Sequence, residues 1–140
     1  MSFGAAAQRG SRPASDAPCP CGAGRFAWCC GPILGGRPAD TAEELMRSRY
    51  TAFALGDAVH LRATWHPTTA PAHLALDPAR RWDGLEVLRT SGGRPGDRVG
   101  TVEFRARWYQ ASTRVRGELR ENSRFRRVAG CWYYIDGDVR

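Results

Sequence analysis

An α+β fold, with helices early and an open antiparallel half-barrel late, is what the order of patterns in this sequence predicts. Three observations carry it: two helical segments between residues 42 and 65, a switch to strict alternation from Trp82 onward, and four clustered cysteines ahead of both. The 140 residues, 42% of them hydrophobic, suffice for one ordinary domain with a real core and a small appendage.

Residues 1–17, rich in Ala, Gly, Ser and Pro, read as a flexible tail. Arg9 and Arg12 are not joined to an apolar stretch, so no secretory signal is expected. Residues 18–36 hold the cysteines among glycines and prolines that preclude a long regular element, and residues 37–140 make the main domain. Its first helix is expected over 42–55, with Thr41 as N-cap and Glu44 completing a capping box. Leu45, Met46, Arg49, Tyr50 and Phe53 share one face, and Gly56 supplies a left-handed stop. Asp57 then caps a second helix over 58–65 that carries Ala58, Leu61, Thr64 and Trp65 on one side and ends before Pro67. His66, preceding that proline, is pushed towards an extended conformation. Residues 67–81 have no clear period and read as a loop with at most a helical turn.

Four strands are expected, over 85–90, 99–109, 114–127 and 131–136. The second puts Val102, Phe104, Ala106 and Trp108 on its inner face, and Glu103, Arg105, Arg107 and Tyr109 on the other. The third alternates most clearly: Arg114, Arg116, Glu118, Arg120, Asn122, Arg124 and Arg126 face water. Its inner face, Val115, Gly117, Leu119, Glu121, Ser123 and Phe125, contains two polar residues out of place. A meander of this kind, preceded by two helices, curves into a half-barrel whose mouth the helices close.

The net charge is +7 and all 21 basic residues are arginine, a composition expected of GC-rich coding. The arginines are scattered, with no basic run longer than two, so nucleic acid is not the expected partner and binding through the Arg-rich surface stands as a lesser alternative. No apolar run approaches the roughly 20 residues of a membrane helix, and a cytoplasmic location is expected.

Cys19, Cys21, Cys29 and Cys30 follow a Cys-x-Cys, seven-residue, Cys-Cys spacing, while Cys131 stands far away. A secreted disulfide scaffold spreads its cysteines along the chain, whereas a tight cluster favours a metal. Four thiolates suit tetrahedral Zn2+ and leave no position for water, so the ion would be structural and a segment with so little core would depend on it. Reduced thiols or two disulfides are the alternatives. Cys131, in a strand, reads as a small hydrophobe.

The stretch Cys19-Pro20-Cys21-Gly22-Ala23-Gly24 through Cys29-Cys30-Gly31 resembles the SEC-C zinc motif, with a loop one residue shorter and Arg25, Phe26, Ala27 and Trp28 where lysines are common. The main domain resembles the uncharacterised YchJ-like family in Leu45-Met46-Arg47-Ser48-Arg49-Tyr50-Thr51-Ala52-Phe53, Thr64-Trp65-His66-Pro67, Trp82-Asp83-Gly84-Leu85, Val102-Glu103-Phe104-Arg105-Ala106, Glu121-Asn122-Ser123-Arg124-Phe125 and Trp132-Tyr133-Tyr134-Ile135-Asp136-Gly137. The resemblance implies the cone of the nuclear transport factor 2-like superfamily, a curved antiparallel sheet covered by N-terminal helices. It implies zinc, and it supplies no reaction.

Cones of that superfamily often hold a ligand between sheet and helices, which makes inward polar residues and their aromatic neighbours the candidates. They are Arg49 and Tyr50 from the first helix, Trp65 and His66 at the end of the second, Trp108, Glu121 and Ser123 from the middle strands, and Trp132, Tyr134 and Asp136 from the last. One reading makes His66 a general acid/base with Glu121 or Asp136. The other makes Glu121 and Arg49 a buried ion pair, with His66 capping a helix and the aromatic residues serving as core. Functionally the sequence supports a zinc-binding interaction protein, docking a protein partner through its basic zinc module. A small-molecule enzyme and a homodimer paired through the sheet are the alternatives.

Overall fold

Helix formation at the start of the main domain is fixed by its ends. The computed structural model, which describes residues 12–140, contains a helix over Ala42–Leu55 whose N-cap Thr41 accepts the Glu44 N–H at 3.0 Å. The Glu44 carboxylate reaches back to the Asp40 N–H, one residue before the cap, and Gly56 closes the helix at φ +75°. This helix is α2; a short α1, Cys30–Leu34, precedes it behind a 3-10 turn, Phe26–Trp28. Asp57 caps α3, Ala58–Ala63, by accepting the His60 N–H at 3.0 Å.

α3 stops two residues short of the expected end for a tertiary reason. Thr64 O and the His66 N–H bond to the two sides of Tyr134, at 2.8 Å each, so residues 64–66 pair with the last strand instead of continuing the helix. That pairing sets Trp65 edge-on against Tyr134, 5.1 Å between ring centres.

The sheet is a four-stranded antiparallel meander in chain order: β1 Arg80–Gly92, β2 Val99–Gln110, β3 Val115–Val128 and β4 Cys131–Val139. The register places Val102, Phe104, Ala106 and Trp108 opposite Ser123, Glu121, Leu119 and Gly117, so the expected inner faces of β2 and β3 coincide. β1 starts five residues earlier than the sequence suggests, because a bulge at Asp83 lets Arg80, Arg81 and Trp82 continue the pairing with β2. With a second bulge at Leu88, it returns Trp82, Leu85, Val87 and Thr90 to the inner face. Bulges bend a strand and increase its twist, and these curve the sheet into a cone around α2.

α2 is buried on more sides than one amphipathic stripe provides. Met46, Arg49, Tyr50 and Phe53 face the cone, as their spacing predicts. Ser48, Thr51 and Ala52 are also fully buried, because α3 and the cysteine segment cover the remaining faces. Ser48 meets His60 of α3 at 2.9 Å, and Thr51 lies 3.8 Å from the Cys19 sulfur.

Candidate metal centre

The sequence from Pro18 to Arg25 closes into a knuckle. Pro18 and Arg25 form a bridge, the Cys19 N–H bonds to Gly24 O at 2.7 Å, and Gly22 takes φ +83°, a backbone only glycine adopts freely. The 3-10 turn then carries the chain back so that Cys29 and Cys30 begin α1 against the first pair. Gly31 permits this closure, since a β-carbon there would come 2.7 Å from the Phe26 carbonyl oxygen. The four sulfurs all lie within 4.8 Å of one another, with Cys21 and Cys29 3.4 Å apart. A tetrahedron of Zn–S bonds about 2.3 Å long has edges near 3.8 Å, so the group has the donor type and the spacing to hold a metal ion. All five cysteines carry free thiols.

Crowding shows in the acidity of the thiols. Hydrogen bonds from the Cys21 and Cys30 side chains pull Cys19 far below the ordinary thiol range, against the opposing effect of burial. Burial, reinforced by Cys21, pushes Cys29 up to about 12, and hydrogen bonding to Cys19 and Cys21 raises Cys30 further. Four sulfurs this close favour a shared negative charge only if a cation sits among them.

The module is fastened from both sides. The Arg47 Nη1 of α2 donates to the Cys21 carbonyl at 3.0 Å while its Nε holds Glu43 at 2.9 Å. The stretch expected as a tail divides: residues 1–11 lie outside the described residues, and residues 12–17 are bound. Ser15 and Ala17 accept N–H bonds from Ala27 and Phe26, and Arg12 pairs with the α3 cap Asp57 at 3.1 Å. Trp28 stands on this module with 86% of its surface exposed.

Within the cone, Arg49, Tyr50, Trp65, Trp108, Glu121, Ser123 and Tyr134 do meet around one cavity of about 390 Å³. His66, Trp132 and Asp136 do not. His66 bonds to Thr68 and abuts Tyr133, because pairing of residues 64–66 with β4 turns it away from the cavity. Trp132 is buried under the start of α2, its indole N–H on Asp40 O at 3.3 Å. Asp136 was expected to share a face with Tyr134, but a bulge at Ile135 reverses the parity, and it sits outside, 2.6 Å from Arg124. The expected direct pair of Arg49 with Glu121 is replaced by a relay: Glu121 accepts from Ser123 at 2.7 Å and from Tyr134 at 2.9 Å, and the Arg49 guanidinium stacks 4.6 Å over the Tyr134 ring. The acid/base pair of His66 with Glu121 or Asp136 is not assembled.

His60 is a polar residue that the sequence pattern does not single out. It is buried between α3 and α2, and burial lowers it to about 4. Nothing in its local pattern marks it for burial, since its partner Ser48 is twelve positions away. The outer face of the sheet is a lattice of ion pairs, Arg105 with Glu86 and Glu118, Arg120 with Glu103, and Arg124 with Asp136 and Asp138. Within the sheet these pairs match the charge of Arg105, Arg120 and Arg124.

Fold and site together define a class: a cone-shaped nuclear transport factor 2-like domain with a four-cysteine SEC-C-type module seated on its first long helix. Residues 41–137 match the family described as "YchJ, middle NTF2-like domain", and the chain belongs to it. It is 52% identical over 123 residues to the UPF0225 protein SCO1677 of Streptomyces coelicolor, covering 86% of this chain and 94% of that protein. Among solved structures it resembles RPA3114, a SEC-C motif containing protein from Rhodopseudomonas palustris, at 35% identity and a TM-score of 0.74, over 86% of this chain and 96% of the other. A SEC-C motif containing protein from Psychrobacter arcticus gives 28% identity and a TM-score of 0.67, over 90% and 84%. No described helix is long and apolar enough to cross a membrane.

Proposed function

We propose that Cys19, Cys21, Cys29 and Cys30 bind one structural Zn2+, and that the module so ordered is an interaction element carried on a metal-independent cone. The observation that supports the metal is the meeting of four sulfurs, from two segments of chain, within 4.8 Å. Zinc suits an all-thiolate set, needs no redox partner and takes the tetrahedral shell that four cysteines complete. With the shell full, no position is left for a substrate, and the ion's role is to hold the knuckle, α1 and residues 12–17 as one surface on α2.

Trp28 supports the interaction role. A tryptophan exposed to 86% costs solubility without stabilising the fold, and buried tryptophans are among the strongest anchors of protein interfaces.

Elemental analysis of protein purified without added metal tests the first claim: one zinc per chain is expected, and a well-folded module with no bound divalent metal would sink it. Affinity capture with wild type, Trp28→Ala and Glu121→Gln tests the second. Partners lost with Trp28→Ala and retained with Glu121→Gln support docking through the module, whereas identical capture by all three refutes it.

A further inference from the structure

The cavity between α2 and the sheet has a volume of about 390 Å³, the size that takes a small molecule. Its walls are largely aromatic, with Trp82, Trp108, Phe104 and Phe125 turned into it. Against these apolar walls stands Arg49, 5% exposed. Its Nη1 is committed to Leu61 O at 2.8 Å and Thr64 Oγ1 at 2.7 Å. Its Nε and Nη2 have no hydrogen-bond partner, and it has no ion-pair partner, among the described residues. Trp65, whose ring lies 5.0 Å from the same guanidinium, has a buried indole N–H that is also without an acceptor.

A buried cation without a counter-ion is costly, and the unpartnered indole N–H of Trp65 adds to that cost. Glu121 does not pair with it directly; one of its carboxylate oxygens receives both the Ser123 and the Tyr134 hydroxyl, and Glu118, the other carboxylate on the wall, is paired with Arg105 at 3.1 Å. The other cation on the wall, Arg80, is stacked 3.8 Å over Trp108 and bonded to Gln110. One free guanidinium edge beside flat aromatic walls selects one anionic group on a flat apolar body. We infer that the cavity binds a small planar aromatic monocarboxylate, its carboxylate on the free edge of Arg49 and its ring between the aromatic walls. The planar guanidinium fork matches a carboxylate in two parallel hydrogen bonds.

Ring-matched probes test this on the full chain: 2-naphthoate, 2-naphthamide and 2-naphthylmethylamine, titrated by calorimetry. The carboxylate is expected to bind about tenfold or more tighter than either analogue. Glu121→Gln, which removes a like charge and keeps the side-chain shape, should tighten it severalfold. Arg49→Gln should abolish binding. Because that change also strips bonds from Leu61 and Thr64, Ala106→Leu serves as a second variant, filling the cavity from the sheet and abolishing binding with the circular dichroism spectrum unchanged. Equal binding of the three probes, preference for the amine that vanishes in Glu121→Gln, or no binding of 2-naphthoate at millimolar concentration would each overturn the inference. The metal content of the same samples, measured separately, keeps its failure distinct from failure of the zinc reading.

Discussion

The cysteine module and the cone share α2 but are held together by different physics. In the module, the buried apolar side chains are Cys19, Cys21, Phe26, Cys30 and Ile33. Three of those five are candidate metal ligands, and Phe26 and Ile33 supply only a small apolar patch that joins the core of the cone. In the cone, Leu61, Val102, Phe104, Ala106, Phe125 and Trp132 are buried by the closure of a sheet on helices. On the zinc reading, the first region exchanges chain entropy for a metal–ligand bond set, the second for removal of apolar area from water. The difference teaches that the two should be separable by chemistry: chelation should address one and cavity-creating substitution the other.

The largest effect should come from Cys21→Ser. Structural zinc contributes apparent binding free energies of about 10 kcal/mol or more at neutral pH. Its loss should remove amide protection from residues 18–34 while the β2 and β3 amides remain slow to exchange. If the sheet loses protection as well, the proposed independence of the cone is wrong. Leu61→Ala tests the other side. Leu61 is completely buried, and truncation should cost about 2–5 kcal/mol in chemical denaturation with the metal content unchanged. A variant that unfolds more readily and also sheds its metal would show that the regions are coupled through α2.

His60 gives an intermediate effect with a definite sign. Its folded pKa, about 4, lies below the ordinary value of 6.5 because burial penalises the charged ring, so the unfolded chain binds the proton more tightly. The stability it confers is present in full above pH 6.5 and declines as pH falls towards 4. The loss approaches roughly 3 kcal/mol. The difference between wild type and His60→Gln across that window isolates it from protonation of the cysteines, and parallel pH profiles would refute it. The smallest effect is Thr41→Ala, which deletes the 3.0 Å cap on Glu44 N–H and should lower stability by about 1 kcal/mol. A drop several times larger would mean that the start of α2 also anchors the module.

Local rules are legible where the chemistry is local. The limits of α2 follow from Thr41 and Gly56, the inner faces of β2 and β3 follow from alternation, and the cysteine cluster is visible as spacing. The departures from expectation all depend on residues far away in the chain. The first strand begins at Arg80 and not at Leu85 because β2 supplies partners on either side of Asp83, which is left as a bulge. Asp136 follows the alternation of Tyr134 until an extra residue in β4 turns it out to Arg124. His66 obeys its proline, but the edge of β4 decides which way it faces.

The sequence by itself determined the fold class, the candidate metal-ligand set and which strands present polar groups inward, because hydrophobic period, capping and ligand spacing are written within a few residues of chain. Only the tertiary structure decided that Arg49 reaches Glu121 through the Tyr134 ring, that Ser48 and His60 meet, and that Thr51 lies against the cysteines. Each of those contacts joins elements whose relative placement is set by curvature of the sheet and by bulges of single residues. A one-residue slip reverses the facing of every side chain beyond it, and the stability of the alternatives depends on the whole packed interior rather than on any segment.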